Sequence, residues 1–316
     1  MAENPSANPA SSAPAPAPPS KARTFFRRLG SSLALWACVL LALFSGHALL
    51  SDALFLLVML VLAGMGLREF YHLVEKAGHP CFRRWGVAGG LLLMLTSFLV
   101  LQGGLFPNVS PVRAGDVETA VLILFVLGLC LRQFFSQRGK SALLGISATL
   151  LGLMYVPWLL NFIQKIHFFP DVGGVKVEGN YYVLYFILVT KFSDLGAYCT
   201  GSLIGKHKMI PRISPGKTWE GFGGAIVIST LVSVACAHFL RDKLYGLNLT
   251  HAVILGVLLS TAAVVGDLIE SIFKREAQVK DSGHWFPGIG GILDLLDSLL
   301  FNAPLMYLYL RHVLAN

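Results

Sequence analysis

The 316-residue chain is 55% hydrophobic and 13% charged, with a formal net charge of +8 at neutral pH. This lies well above the apolar share of an ordinary soluble domain and well below its charged share, which excludes a soluble globular protein and points to a polytopic membrane protein. The positive charge does not imply nucleic acid, because Lys and Arg are scattered through short segments between apolar runs, where they set topology and face anionic lipid.

Residues 1–20 are dominated by Pro, Ala and Ser and have almost nothing to bury. Together with the basic stretch carrying Lys21, Arg23, Arg27 and Arg28, they read as a disordered tail over 1–30, ahead of one polytopic domain over 31–316. The first apolar run, about 31–50, is long enough to span, lacks a small-residue cleavage pattern and is closely followed by a second. It is therefore expected to be a retained span and not a signal peptide. Further runs at about 53–67, 86–105, 119–135, 142–163, 181–200, 221–240, 251–270 and 294–310 predict an all-α polytopic membrane protein with about nine transmembrane helices. The run at 53–67 is short for a span, so tilt or a partly interfacial position is expected.

With the N-terminus inside, 18 Lys and Arg fall on the inner side and 6 on the outer. This favours a cytoplasmic N-terminus and puts the loops 201–220 and 271–293 together on the cytoplasmic face. Cys38, Cys81, Cys130, Cys199 and Cys236 show no CxxC spacing and read as small buried apolar residues. Asn248-Leu249-Thr250 matches a glycosylation sequon, a three-residue pattern of little weight.

The first chemistry-bearing stretch runs from Lys191 to Gly224. Asp194 and Tyr198 stand four residues apart near a span end, ahead of Lys206, His207, Lys208 and Arg212, donors suited to an anionic head group or a polyphosphate. Snorkelling of the same cations to the interface is the bland alternative. Ser214-Pro215-Gly216-Lys217-Thr218 is superficially like a phosphate loop, but it lacks the first glycine and is not expected between a strand and a helix. Ser214 and Glu220 also fit the start of the following helix.

The second stretch, Gly266 to Ser298, sets acids and cations between two strongly apolar segments. Charges at membrane depth are costly and normally face a protein interior or a water-filled cavity. On a helix, Asp267, Ser271 and Lys274 share one face, offering a metal ligand, a hydroxyl and a cation. Pro287, Gly288, Gly290 and Gly291 then make a turn that leaves backbone N–H groups free, before Asp294 and Asp297 open the next apolar run. Carboxylates are hard oxygen ligands that suit Mg²⁺ together with substrate phosphates. The stretch reads as a phosphate-and-metal site at a membrane surface.

Both stretches resemble the phosphatidate cytidylyltransferases, or CDP-diglyceride synthetases, over roughly residues 55–310. The resemblance rests on SPGKTWEG and on Ser271, Lys274, Arg275, Lys280, Asp281, Ser282, Gly283, Pro287, Gly288, Gly290, Gly291, Asp294 and Asp297, with a weaker match at Arg68-Glu69-Phe70-Tyr71. It implies transfer of a cytidylyl group from CTP to phosphatidate, with Mg²⁺ as cofactor, a homodimer, and a bacterial inner-membrane enzyme whose site faces the cytoplasm. It also implies metal binding by Asp267, Asp294 and Asp297 with Asp281 nearby, and catalytic phosphate contacts from Lys274, Arg275 and Lys280. Ser214, Lys217 and Thr218 would shape the substrate pocket, which Asp194, Tyr198 and Ser271 complete. Two positions depart from the family pattern: Ile289 stands where His is usual and Leu295 where Arg is usual, and His284 is a candidate substitute for the imidazole. Alternative readings are a degenerate non-catalytic member, a CTP-dependent lipid kinase, a membrane transporter or a non-catalytic scaffold.

Overall fold

The computed structural model describes residues 21–103, 111–135, 142–172, 176–283, 285 and 290–315. The 1–20 part of the expected tail, and His284, Pro287, Gly288 and Ile289 of the C-terminal motif, lie outside the described residues.

Long apolar runs in this chain make helices because only a helix satisfies every backbone polar group within its own segment in hydrocarbon. In chain order these are α1 (Lys21–Phe44), α2 (Ala48–Lys76), α3 (Arg83–Leu101), α4 (Pro111–Phe135), α5 (Ala142–Leu153), α6 (Leu159–His167), α7 (Gly179–Ile204), α8 (Trp219–Phe239), α9 (Leu249–Glu276) and α10 (Ile292–Tyr309). A π turn at Met154–Trp158 joins α5 to α6 without a break. Pro157 lies within it, and its missing N–H explains why the regular helical ladder cannot continue there. Among the described residues, eight helical segments are long and apolar enough to cross a membrane, and α1 carries a shorter apolar stretch, Leu33–Phe44.

The first expected run ends early, because the chain turns at Ser45–His47 with Gly46 at φ +78°. Residues 48–50 instead open α2, so the run expected to be short becomes part of a 29-residue helix. Residues 21–30 of the expected tail open α1. The all-α expectation has one exception, an antiparallel hairpin of β1 (Lys208–Ile210) and β2 (Ser214–Thr218), with Lys208 opposite Thr218. The SPGKT segment is thus itself a strand that runs directly into α8, which corrects the expectation that it does not meet a strand and a helix.

Helix α10 is central, packing on α2, α6, α7 and α9. Leu296 and Leu300 of α10 are fully buried, as are Tyr71 on α2 and Tyr182 and Phe186 on α7. Polar pairs tie the helices where hydrocarbon supplies no other partner: Asn302 Nδ2 donates to Thr190 Oγ1 at 2.6 Å, and Tyr71 Oη donates to the Thr149 carbonyl at 2.8 Å. The five cysteines are free thiols, with Cys38 and Cys130 exposed and the rest half-buried. They are therefore not buried in the protein core as expected, since an outward helix face can be apolar because lipid covers it. Asn248 of the sequon caps α9, its Oδ1 accepting the His251 N–H at 2.9 Å.

Candidate active site

Gly266 lets α9 and α10 close on each other: a Cβ there would lie 2.5 Å from the Asp297 carbonyl oxygen. The approach brings Asp267 and Glu270, one turn apart on α9, to Asp297 on α10. One carboxylate oxygen from each of the three lies within 4.8 Å of the others. Glu270 is fully buried; one of its oxygens pairs with Lys274, and Oε1 has no hydrogen-bond partner among the described residues. A buried unpaired carboxylate oxygen is costly unless a cation completes it. The donor set, three carboxylates and no nitrogen or sulfur, suits a hard divalent cation.

Asp267 and Asp297 border a pocket of about 480 Å³ enclosed by α7, the hairpin, the start of α8, α9 and α10, with Glu270 buried beside them. Asp194, Tyr198, Ser214, Lys217, Thr218, Asp267, Asp294 and Asp297 all line it. Lys217 extends from β2 to Asp267, Nζ to Oδ2 at 2.8 Å, and also donates to the Val264 carbonyl at 3.0 Å. Thr218 is the N-cap of α8, its Oγ1 accepting the Gly221 N–H at 3.1 Å. Thr218 fills the helix-start role considered for Ser214 and Glu220; Glu220 instead meets His207 Nδ1 at 2.6 Å.

Behind this open set lies a closed one. Asp294 Oδ1 accepts from Lys274 Nζ at 2.7 Å, while Oδ2 accepts from the Gly291 N–H at 2.7 Å, the Ser282 N–H at 3.0 Å and the Ser282 hydroxyl at 2.9 Å. Glu69, buried on α2, accepts from the Ile292 N–H at 3.0 Å and the Leu293 N–H at 2.7 Å, and Ser282 Oγ lies 3.0 Å from it, its one proton shared between Glu69 and Asp294. The N-terminal amides of α10, expected to be free for ligand, are thus taken by two carboxylates of the chain itself, as helix N-termini favour. Gly290, at φ +113°, turns the chain into this arrangement.

The remaining expected residues stand elsewhere. Ser271 is buried on α9 and does not line the pocket. Arg275 braces the hairpin turn, Nε donating to the Ile213 carbonyl at 3.1 Å. Lys280 and Asp281 are exposed on the segment after α9 and are not part of the pocket wall. Sequence reading missed Glu270, although it stands one helical turn from Asp267 within an apolar helix. It also gave Glu69 no role beyond a weak motif match, and an acid near the end of a strongly apolar run was the available signal.

The cytidylyltransferase family model matches residues 27–313. A phosphatidate cytidylyltransferase of Staphylococcus saprophyticus is 34% identical over 242 residues, covering 71% of this chain and 92% of that protein. One of Staphylococcus haemolyticus is 43% identical over 137 residues, 43% of this chain and 52% of that protein. One of Haemophilus influenzae is 38% identical over 155 residues, 46% of this chain and 54% of that protein. The matched stretch thus spans about half the length of these last two relatives.

Proposed function

The chain belongs to the cytidylyltransferase family, and on that premise we propose that it transfers the cytidylyl group of CTP to phosphatidate, giving CDP-diacylglycerol and pyrophosphate. The observation that carries this reading is the meeting of Asp267, Glu270 and Asp297, two of which, Asp267 and Asp297, line a pocket together with Lys217. These three acids would hold Mg²⁺, which when bound neutralises charge on the phosphate oxygens.

A phosphate oxygen of phosphatidate attacks the α-phosphorus of CTP. The new P–O bond forms as the bond to the bridging oxygen breaks, and its electron pair leaves on pyrophosphate. No covalent protein intermediate is needed, so the residues position and neutralise. Lys217 offers an ammonium to a phosphate beside Asp267, and Ser214, Thr218 and Tyr198 bound the substrate space. Lys274 holds Glu270 and Asp294 in register from behind and acts by positioning. Asp294, expected as a metal ligand, has both oxygens engaged and anchors the start of α10. Asp194, which lines the pocket, keeps its substrate role, whereas Ser271, Arg275, Lys280 and Asp281, which do not line it, are left out of the proposed chemistry.

The protein is an integral membrane protein. The excess of Lys and Arg on the inner side supports a site on the cytoplasmic face of a bacterial inner membrane, where CTP is available. A homodimer completes the proposal, and native mass spectrometry in detergent reads it directly.

Purified protein given CTP, phosphatidate and Mg²⁺ is expected to release pyrophosphate and form CDP-diacylglycerol, and Asp297→Asn is expected to lose both. Release of CDP with a phosphorylated lipid would replace this reading with a lipid kinase. Nucleotide binding without any product would replace it with a degenerate member.

A further inference from the structure

A second cavity, of about 290 Å³, lies between α1, α2, α6, α7 and α10. Its wall is made of apolar side chains such as Trp36, Val39, Phe55, Met59, Val183 and Leu299, and Lys191 is the one charged residue lining it among the described residues. Val183 and Lys191 stand eight residues apart on α7, so the cavity extends about 12 Å along that helix at ~1.5 Å per residue. One leaflet of the hydrocarbon core is about 15 Å deep. A cation at one end of an apolar slot of that depth matches an amphiphile with an anionic head.

Lys191 also stands at the border of the acidic pocket. Its Nζ donates to the Leu295 carbonyl at 3.0 Å, to Ser298 Oγ at 3.3 Å and to Asp194 Oδ2 at 3.4 Å, and Asp194 lines that pocket together with Asp297. Only the carbonyl contact is of ordinary length, the other two are long, and the side chain is 25% exposed. A charge within a membrane span is costly, and a single contact to a carboxylate, at 3.4 Å, leaves room for a stronger anionic partner. Leu295, in the position where the family pattern carries Arg, offers Lys191 its carbonyl and also lines the cavity.

We propose that this cavity holds an acyl chain of the lipid substrate and that Lys191 receives the lipid phosphate, presenting it to the acidic pocket. The proposal rests on the transferase reading for the identity of the lipid, phosphatidate. Lys191 is then a substrate-binding residue supplied by α7, and the lipid takes its place beside α1 and α2.

The test is photolabelling of the full chain in phosphatidylcholine nanodiscs by phosphatidate carrying a diazirine in its acyl chain, with no CTP present. Adducts are expected on cavity residues such as Trp36, Val39 and Met59, competed by excess phosphatidate but not by added phosphatidylcholine. Losing one charge-assisted hydrogen bond changes affinity by about 10- to 100-fold, so Lys191→Met is expected to lower specific labelling by at least about 10-fold, while Lys191→Arg retains it. In turnover, Lys191→Met is expected to raise KM for phosphatidate by a similar factor and to leave KM for CTP unchanged. Adducts confined to outward helix faces, equal competition by both lipids, or undiminished labelling of Lys191→Met would overturn the proposal. Because labelling is read without nucleotide, cavity adducts in a protein that forms no CDP-lipid would sink the transferase reading and leave the lipid site standing. Product formation without cavity adducts would do the reverse.

Discussion

Asp294 and Asp297 are one turn apart on α10, yet their oxygens meet opposite surroundings. Asp294 is closed: Lys274, Ser282 and Gly291 occupy its two oxygens, and Glu69 seals the same helix start from α2. Asp297 is open: its one hydrogen bond among the described residues is the 2.5 Å contact from the Ser298 N–H, and it faces Asp267 and Glu270. An acid whose oxygens are saturated by donors of its own chain holds a structure in place. One that converges with other acids on a shared space is organised for something not yet present.

The largest expected effect comes from opening the closed set. Lys274→Met leaves the buried Glu270 and the half-buried Asp294 without their cation, and removing one partner of a buried ion pair costs about 3–5 kcal/mol. Thermal denaturation in detergent should show a large fall in melting temperature, and full stability would erase the distinction between the two sets. Asp297→Asn should act in the other way. Turnover should fall by roughly 10²- to 10³-fold, the usual cost of losing one preorganised electrostatic group, while melting stays near that of the parent. Parallel loss of melting and turnover would make Asp297 a structural acid like Asp294.

A smaller effect is expected from Glu69→Gln, which keeps the shape but weakens two charge-assisted bonds to the start of α10. About 1–3 kcal/mol of stability should be lost, readable by denaturation, with turnover falling only as far as α10 loosens. The smallest comes from Arg83→Gln at the exposed 3.6 Å pair with Glu75, where less than ~1 kcal/mol is expected and melting and activity should match the parent.

The bundle was legible in the sequence because hydrocarbon demands long apolar helices, and such runs are visible without any fold in hand. The pocket was legible through Asp267, Asp297 and Lys217, since charges in or beside apolar runs need a reason to be there. The division of labour among the acids was not. Glu69 reaches amides more than 200 positions later in the chain, and only the packing of α2 on α10 reveals that contact. Arg275 has the composition of a phosphate ligand, yet its guanidinium closes on a backbone carbonyl of the hairpin turn. The amides after Gly290 looked available for ligand because nothing local to them is acidic except Asp294, whose reach back to Gly291 depends on the turn. Lys191 is legible as a cation inside an apolar run, but the cavity it terminates is assembled from five helices, α1, α2, α6, α7 and α10, and shows only in their packing.

Glu270 offers the most direct test, because it joins the two sets, pairing with Lys274 through one oxygen and leaving the other to Asp267 and Asp297. The measurement is the Mg²⁺ concentration needed for half-maximal pyrophosphate release by Glu270→Gln and by the parent. If Glu270 completes the cation site, that concentration should rise by about 10-fold or more, the scale of one lost charge-assisted contact. An unchanged Mg²⁺ requirement in a folded variant would contradict a metal site built from Asp267, Glu270 and Asp297.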